Sequence, residues 1–311
     1  TLATVGAVCL LAATFSDDRR VVWLTAWLFV LGDWVGQEYF SPQALAYLLY
    51  LVGIALALRL ARAKGSRPHL GAGADPEVTV LAVLLCVVAI ATSHQITPAM
   101  LCVALVALTL TRRARLGGVG LVAIVVTVVW ALWGATDFVA ANVKMALEGF
   151  GSPMANAEGN LVDTTRLSEG QALVALAGRL VVVTVGLLAA VGLVRVARRD
   201  RGAAITLCVL GAAPLVILAT NEFGGEILFR VYLFALPVAA YLGAHALLDP
   251  PRIRHGWARA VPIVAVSLVL VVGFLLAHFG KDGHYAFTRA EYEAAAWLDE
   301  HAPDDSLLVQ G

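Results

Sequence analysis

Apolar stretches alternate with short charged connections along the whole chain. Runs almost free of charge fall at about residues 2–15, 21–32, 44–60, 79–93, 99–111, 118–136, 171–194, 203–220, 230–248 and 260–279, ten in all. Helix rises by ~1.5 Å per residue, so crossing a hydrocarbon core of ~30 Å takes about 20 residues. Lipid offers no hydrogen bonds to the backbone, so apolar segments that enter it fold as helices. The expected fold is all-α: a polytopic helical membrane protein with about ten transmembrane segments and the start of an external C-terminal domain. Composition agrees, because only 14% of residues are charged against about 25% in soluble domains. That is too little to coat a water-soluble enzyme of this length. Several runs have only 12 to 15 residues and must borrow flanking residues or end below the membrane surface.

The placement of charge gives the orientation. Arg19 and Arg20; Arg59, Arg62, Lys64 and Arg67; Arg112, Arg113 and Arg115; Arg195, Arg198, Arg199 and Arg201; and Arg252, Arg254 and Arg259 occupy every second connection, 16 of the 22 basic residues. Only six acids share that side (Asp17, Asp18, Asp75, Glu77, Asp200, Asp249), and the other 16 lie in the opposite connections. By the positive-inside rule the basic side is cytoplasmic. Residues 61–78, 112–117, 196–202 and 250–259 are then cytoplasmic, and 137–170 and 280–311 extracytoplasmic. The domain reading is a multi-spanning unit over 1–279 and a truncated external domain starting at 280–311. There Thr288 and Glu291 form a capping box before a short helix, and Asp304 to Val309 reads as a turn into a strand. The chain stops as that apolar run begins, so it reads as a piece of a longer protein.

Zero net charge points to no nucleic-acid partner. Cys9, Cys86, Cys102 and Cys208 all sit inside apolar runs, which argues against disulfides or a zinc site. The arginine-rich, alanine-rich usage suggests a GC-rich bacterial genome and a bacterial plasma membrane.

Candidate chemistry gathers in the connections opposite the basic ones. Ser41-Pro42 and Thr97-Pro98 each put a hydroxyl at a helix N-cap and proline at the first helical position. Such N-termini, with unpaired N–H groups and a positive dipole end, can hold an anion, or they can simply start helices. Glu38 and Gln43 flank the first cap, and His94 and Gln95 precede the second. Glu38 and His94 are the two candidates for acid–base work, while Trp34 reads as part of an interfacial aromatic belt. Asp33, Glu38 and His94 include metal-ligating types, but no ligand spacing supports a divalent ion or any other cofactor. Further along, Arg230 opens another helix with Tyr232 on its first turn, and Arg179 lies within an apolar run. Ionisable groups so placed face a partner or a cavity. Arg179 can snorkel instead, and Arg230 can pair with Glu222 or Glu226.

Phe229-Arg230-Val231-Tyr232-Leu233-Phe234-Ala235-Leu236-Pro237, the multi-spanning plan and a last span leading through Tyr292-Glu293-Ala294-Ala295-Ala296-Trp297-Leu298 resemble the GT-C superfamily of membrane glycosyltransferases. Glu38-Tyr39-Phe40-Ser41-Pro42-Gln43 and Ser93-His94-Gln95-Ile96-Thr97-Pro98 resemble outer-loop motifs of actinobacterial members. The resemblance implies transfer of a sugar from a polyprenyl-phosphate-linked donor to an extracytoplasmic acceptor. It also implies a catalytic carboxylate in a first external loop, which this chain does not show. Gln43, Gln95, Arg179, Arg230 and Tyr232 become the substrate-binding candidates, with membrane lipid and the lipid-linked donor as partners. Two other classes stay open, a transporter or flippase for a lipid-linked or small solute and a noncatalytic envelope-assembly subunit.

Overall fold

A computed structural model of the chain describes residues 2–36, 41–63, 75–110, 118–158, 167–220, 225–248, 256–280, 287–303 and 306. Every one of the ten apolar runs is helical. The helices are Leu2–Ala13 (α1), Arg19–Gly32 (α2), Pro42–Ala63 (α3), Pro76–Ser93 (α4), Thr97–Leu110 (α5), Val119–Trp133 (α6), Thr136–Gly149 (α7) and Pro153–Glu158 (α8). They continue with Glu169–Arg199 (α9), Arg201–Ala212 (α10), a 3₁₀ segment Ala213–Ala219, Ile227–Leu248 (α11), Gly256–Phe279 (α12) and Arg289–His301 (α13). Among the described residues there are no strands.

Six stretches are long and apolar enough to cross a membrane: Pro42–Ala61, Pro76–Ser93, Glu169–Arg199, Arg201–Ala219, Ile227–Leu248 and Ala260–Phe279. α6 makes a seventh only if α7, bent from it by 90°, is counted into the same span. The runs forming α1, α2 and α5 give helices of 12, 14 and 14 residues, shorter than a full crossing. Lengths alone therefore mark six or seven crossings where the apolar runs suggested ten.

Burial identifies the centre of the bundle. α11 has 67% of its apolar window inside the protein, and α12 has 17%. α11 packs on α2, α9 and α10, and α12 on the outside of α9; a second group, α3 to α6, packs together and meets the first through α1, which lies on both α2 and α3, and through α10 and the 3₁₀ segment. The outer surface is as apolar as the core. Leu81 and Leu85 on α4, Leu121 and Leu132 on α6, Leu187 on α9 and Leu268 on α12 are all exposed, as expected where the solvent is hydrocarbon.

Close helix approach depends on glycine at two places. A Cβ on Gly192 of α9 would stand 1.8 Å from the Leu242 carbonyl oxygen of α11, and one on Gly178 would stand 2.8 Å from the Trp34 ring. The first lets α9 touch the α11 backbone, and the second seats the Trp34 ring on α9.

The basic ends collect at one end of the bundle. Arg195 donates through Nη1 to the carbonyl of Ala246 and, at 3.4 Å, to that of His245, closing last-turn carbonyls of α11 that have no helical donor. Three acids of that end are helix N-caps. Asp18 accepts from Arg20 N, Asp75 from Glu77 N, and Asp200 from Gly202 N and Ala203 N. They meet the positive ends of α2, α4 and α10, which explains carboxylates amid so many arginines.

Candidate functional site

The opposite end of the bundle holds most of the candidate residues. α2 ends there at Asp33, which is 8% exposed and whose N–H bonds Phe29 O at 3.0 Å. The Tyr232 hydroxyl donates to Gly32 O at 2.7 Å, so it closes the last turn of α2. Next in the chain, the Trp34 ring lies on Gly178 and meets Phe229 edge-on at 5.7 Å between centroids. Its half-buried indole thus joins α2, α9 and α11 rather than standing in an exposed aromatic belt.

Ser41 caps α3 as the sequence suggests, accepting from Ala44 N through Oγ at 3.3 Å, and Gln43 is 8% exposed on the first turn. The second Pro-started helix is capped differently. Thr97 is already helical, and the His94 Nδ1 atom accepts from the amides of Ile96 (3.4 Å) and Thr97 (3.3 Å), with Thr97 Oγ1 2.9 Å away. The imidazole performs the capping expected of the Thr97 hydroxyl. Burial, and then the charge of Arg230, lower the His94 pKa to about 4. The ring is therefore neutral at pH 7, and with Nδ1 accepting, its hydrogen sits on Nε2.

The charge that acts on the α4–α5 turn is that of Arg230 at the start of α11. The Arg230 side chain is 12% exposed, and its Nη2 bonds Glu226 Oε2 at 2.8 Å across one helical turn, with Glu226 half exposed. The result is a nearly buried cation whose charge acts on a neutral histidine, with the N-termini of α3, α5 and α11 at the same end. Fixed positive potential of this kind suits an anion.

Arg179 is exposed, one residue past the Trp34 contact at Gly178, and Gln95 is exposed on the α4–α5 turn. Glu38 and Glu222 lie outside the described residues. Among the described residues no three His, Cys, Asp or Glu side chains stand together as a metal site. One buried polar residue escapes sequence reasoning. Asn156, 6% exposed, donates through Nδ2 to Gly149 O at 2.9 Å and Leu218 O at 2.8 Å, fastening α7 and α8 to the 3₁₀ segment. Nothing in its local sequence signals this, because the second carbonyl comes from a distant segment.

Apolar helices, an apolar exterior and charged groups gathered mostly at the helix ends define a multi-pass helical membrane protein. No family model, curated protein or solved structure matches the chain.

Proposed function

We propose that the chain is the membrane part of a GT-C-type glycosyltransferase, moving a sugar from a polyprenyl-phosphate-linked donor to an acceptor on the extracytoplasmic side of a bacterial plasma membrane. The observation that supports it best is Arg230, a nearly buried guanidinium at the start of α11 whose charge reaches His94. A planar fork that stays charged when desolvated suits a lipid phosphate. An apolar groove of about 430 Å³ lies between α9 and α12, lined by Leu173, Leu176, Leu180, Leu268 and Val272. It runs along residues 173–181 of α9 and suits a prenyl chain. In this reading the basic end is cytoplasmic, the short helices complete ten crossings, and residues 280–311 lead into an extracytoplasmic domain.

Two measurements test the reading. Impermeant labelling in intact cells should reach a cysteine placed at Gly159 and not one at Gly65; the reverse pattern inverts the orientation. Full-length protein in vesicles should bind farnesyl phosphate, a short prenyl phosphate, in competition with polyprenyl-phosphate-linked sugar, and should consume that sugar when an acceptor is added. Absence of both binding and turnover removes the transferase reading.

The transporter reading draws on one observation, the break from α10 into the 3₁₀ segment at Pro214. Transporter sites, however, lie at broken helices near the midplane that carry polar groups, whereas this break, 12 residues into the 19-residue crossing, opens the wholly apolar segment Ala213–Ala219. Acceptor-independent movement of a labelled lipid across vesicles would favour it.

A further inference from the structure

We propose that α7 is an in-plane helix seated in the bilayer interface, its apolar face against lipid, joined at its start to α6 and strapped at its end to a membrane-crossing helix. The partner is the lipid surface at the end of the bundle opposite the arginines, and the seating does not depend on the transferase reading.

Depth is set first by α6. Its last turn carries Trp130 and Trp133, the latter 86% exposed, and exposed indoles on a lipid-facing helix settle at headgroup level. The chain then turns sharply. Gly134 and Ala135 both bond Trp130 O, at 2.8 and 2.9 Å, and a Cβ on Gly134 would stand 2.4 Å from the Trp130 ring. α7 leaves at 90° to α6, so where α6 follows the membrane normal α7 runs along the surface.

The far end of α7 is held at the same depth. Gly151 N donates to Ala219 O at 2.9 Å, and Asn156 joins Gly149 O to Leu218 O. Leu218 and Ala219 end the crossing Arg201–Ala219. A helix of 14 residues, ~21 Å long, is thus tied at its start to the tryptophan-bearing end of α6 and at its end to the place where a crossing finishes. It can neither stand up into water nor dive toward the midplane.

Its faces fit that position. Val143 and Leu147 share one side and are 45% and 69% exposed, and Phe150, just past the end of the helix, is 70% exposed; Asp137 and Lys144 lie on the other side. No part of the described chain covers the apolar side, whereas an interface would. The segment's charges, Asp137, Lys144 and Glu148, sum to a net negative, so apolar insertion rather than attraction to anionic lipid holds it.

The test uses the full chain in phosphatidylcholine vesicles, first without any substitution. A phosphatidylcholine bearing a photoreactive carbene precursor near the glycerol should leave adducts on Val143, Leu147 or Phe150 and none on Asp137 or Lys144. Single cysteines at Asp137, Lys144, Leu147 and Phe150, in a chain with Cys9, Cys86, Cys102 and Cys208 replaced by alanine, then carry a fluorescent probe. Probes at Leu147 and Phe150 should be quenched by lipid carrying a shallow nitroxide and shielded from aqueous iodide, with the opposite at Asp137 and Lys144. Equal iodide access at all four sites overturns the proposal. So does quenching mainly by a midplane nitroxide, which makes α7 half of a bent span. Shielding of Leu147 that disappears on dilution into excess lipid also overturns it, because a second copy is then the cover.

Discussion

The Tyr47 hydroxyl donates to the carbonyl oxygen of Leu233 at 2.9 Å, inside the bundle. Leu233 is four residues before Pro237, which stands within α11 and has no N–H to return to that carbonyl. In lipid no water replaces the missing bond, so a side chain from α3 does so. Phe234, packed edge-on against Tyr47 and Tyr50 at 5.0 and 4.9 Å, fixes the ring that delivers it.

Removing the hydroxyl leaves a buried acceptor unsatisfied, at a cost of about 1–3 kcal/mol. Tyr47→Phe should lower thermal stability in detergent by that amount, and Pro237→Ala added to it should recover most of the loss by restoring the helical N–H. Additive losses in the double variant would show that the Tyr47 bond has nothing to do with the proline.

Gly192 and Gly186 lie on the same helix and should respond to alanine in opposite ways. At Gly192 the new Cβ meets Leu242 O at 1.8 Å, whereas at Gly186 nothing lies within 4 Å. Gly192→Ala has to part α9 from α11 and should cost about 1–3 kcal/mol or more. Gly186→Ala should be neutral or stabilising by up to about 1 kcal/mol, since alanine is the better helix former. Melting curves of both variants decide this, and equal behaviour would mean the helices are not that close.

His94 predicts an acid-sensitive fold. Its folded pKa is lowered to about 4 from 6.5, by burial first and the Arg230 charge second. Between those values the unfolded chain binds a proton that the folded chain refuses, so stability rises with pH across the window. It should be fully present above about 6.5 and should decline as pH falls toward about 4. His94→Gln should flatten that slope, and Arg230→Gln should shift it slightly to higher pH. A wild-type slope no steeper than that of His94→Gln would rule out the cap as described.

Much of this was legible in the sequence, and what was not is tertiary. Apolar runs gave every long helix, because a helix in lipid is specified by length and hydropathy alone. Thr288 forms its capping box with Glu291, and Ser41 caps α3, both readable from residues three apart. The 90° turn after Trp133 was not readable, since one apolar run continues to residue 136. Nor was the role of Trp34, which depends on Gly178 of α9 being bare. At the site, Arg230 and Glu226 are one turn apart and could be paired from spacing, but the approach of His94 to Arg230 depends on how α3 to α6 dock against α11.

The Arg230–Glu226 pair separates a structural guanidinium from a phosphate-binding one. Glu226 meets Nη2 at 2.8 Å from a half-exposed position at the start of α11, while the guanidinium itself is nearly buried. If the pair only holds the helix start, Arg230→Lys should keep most sugar turnover, because an ammonium can still reach Glu226, and Glu226→Gln should be the more damaging change. If Arg230 holds the donor phosphate, lysine loses the two-point geometry. Turnover should then fall about 10-fold or more for a lost charge-assisted bond of about 1.5–3 kcal/mol, while Glu226→Gln stays active and folding is unchanged in both. Rates for the two variants in full-length protein at matched expression distinguish these outcomes. An Arg230→Ala protein that still turns over the lipid-linked sugar at the wild-type rate would remove the phosphate site altogether.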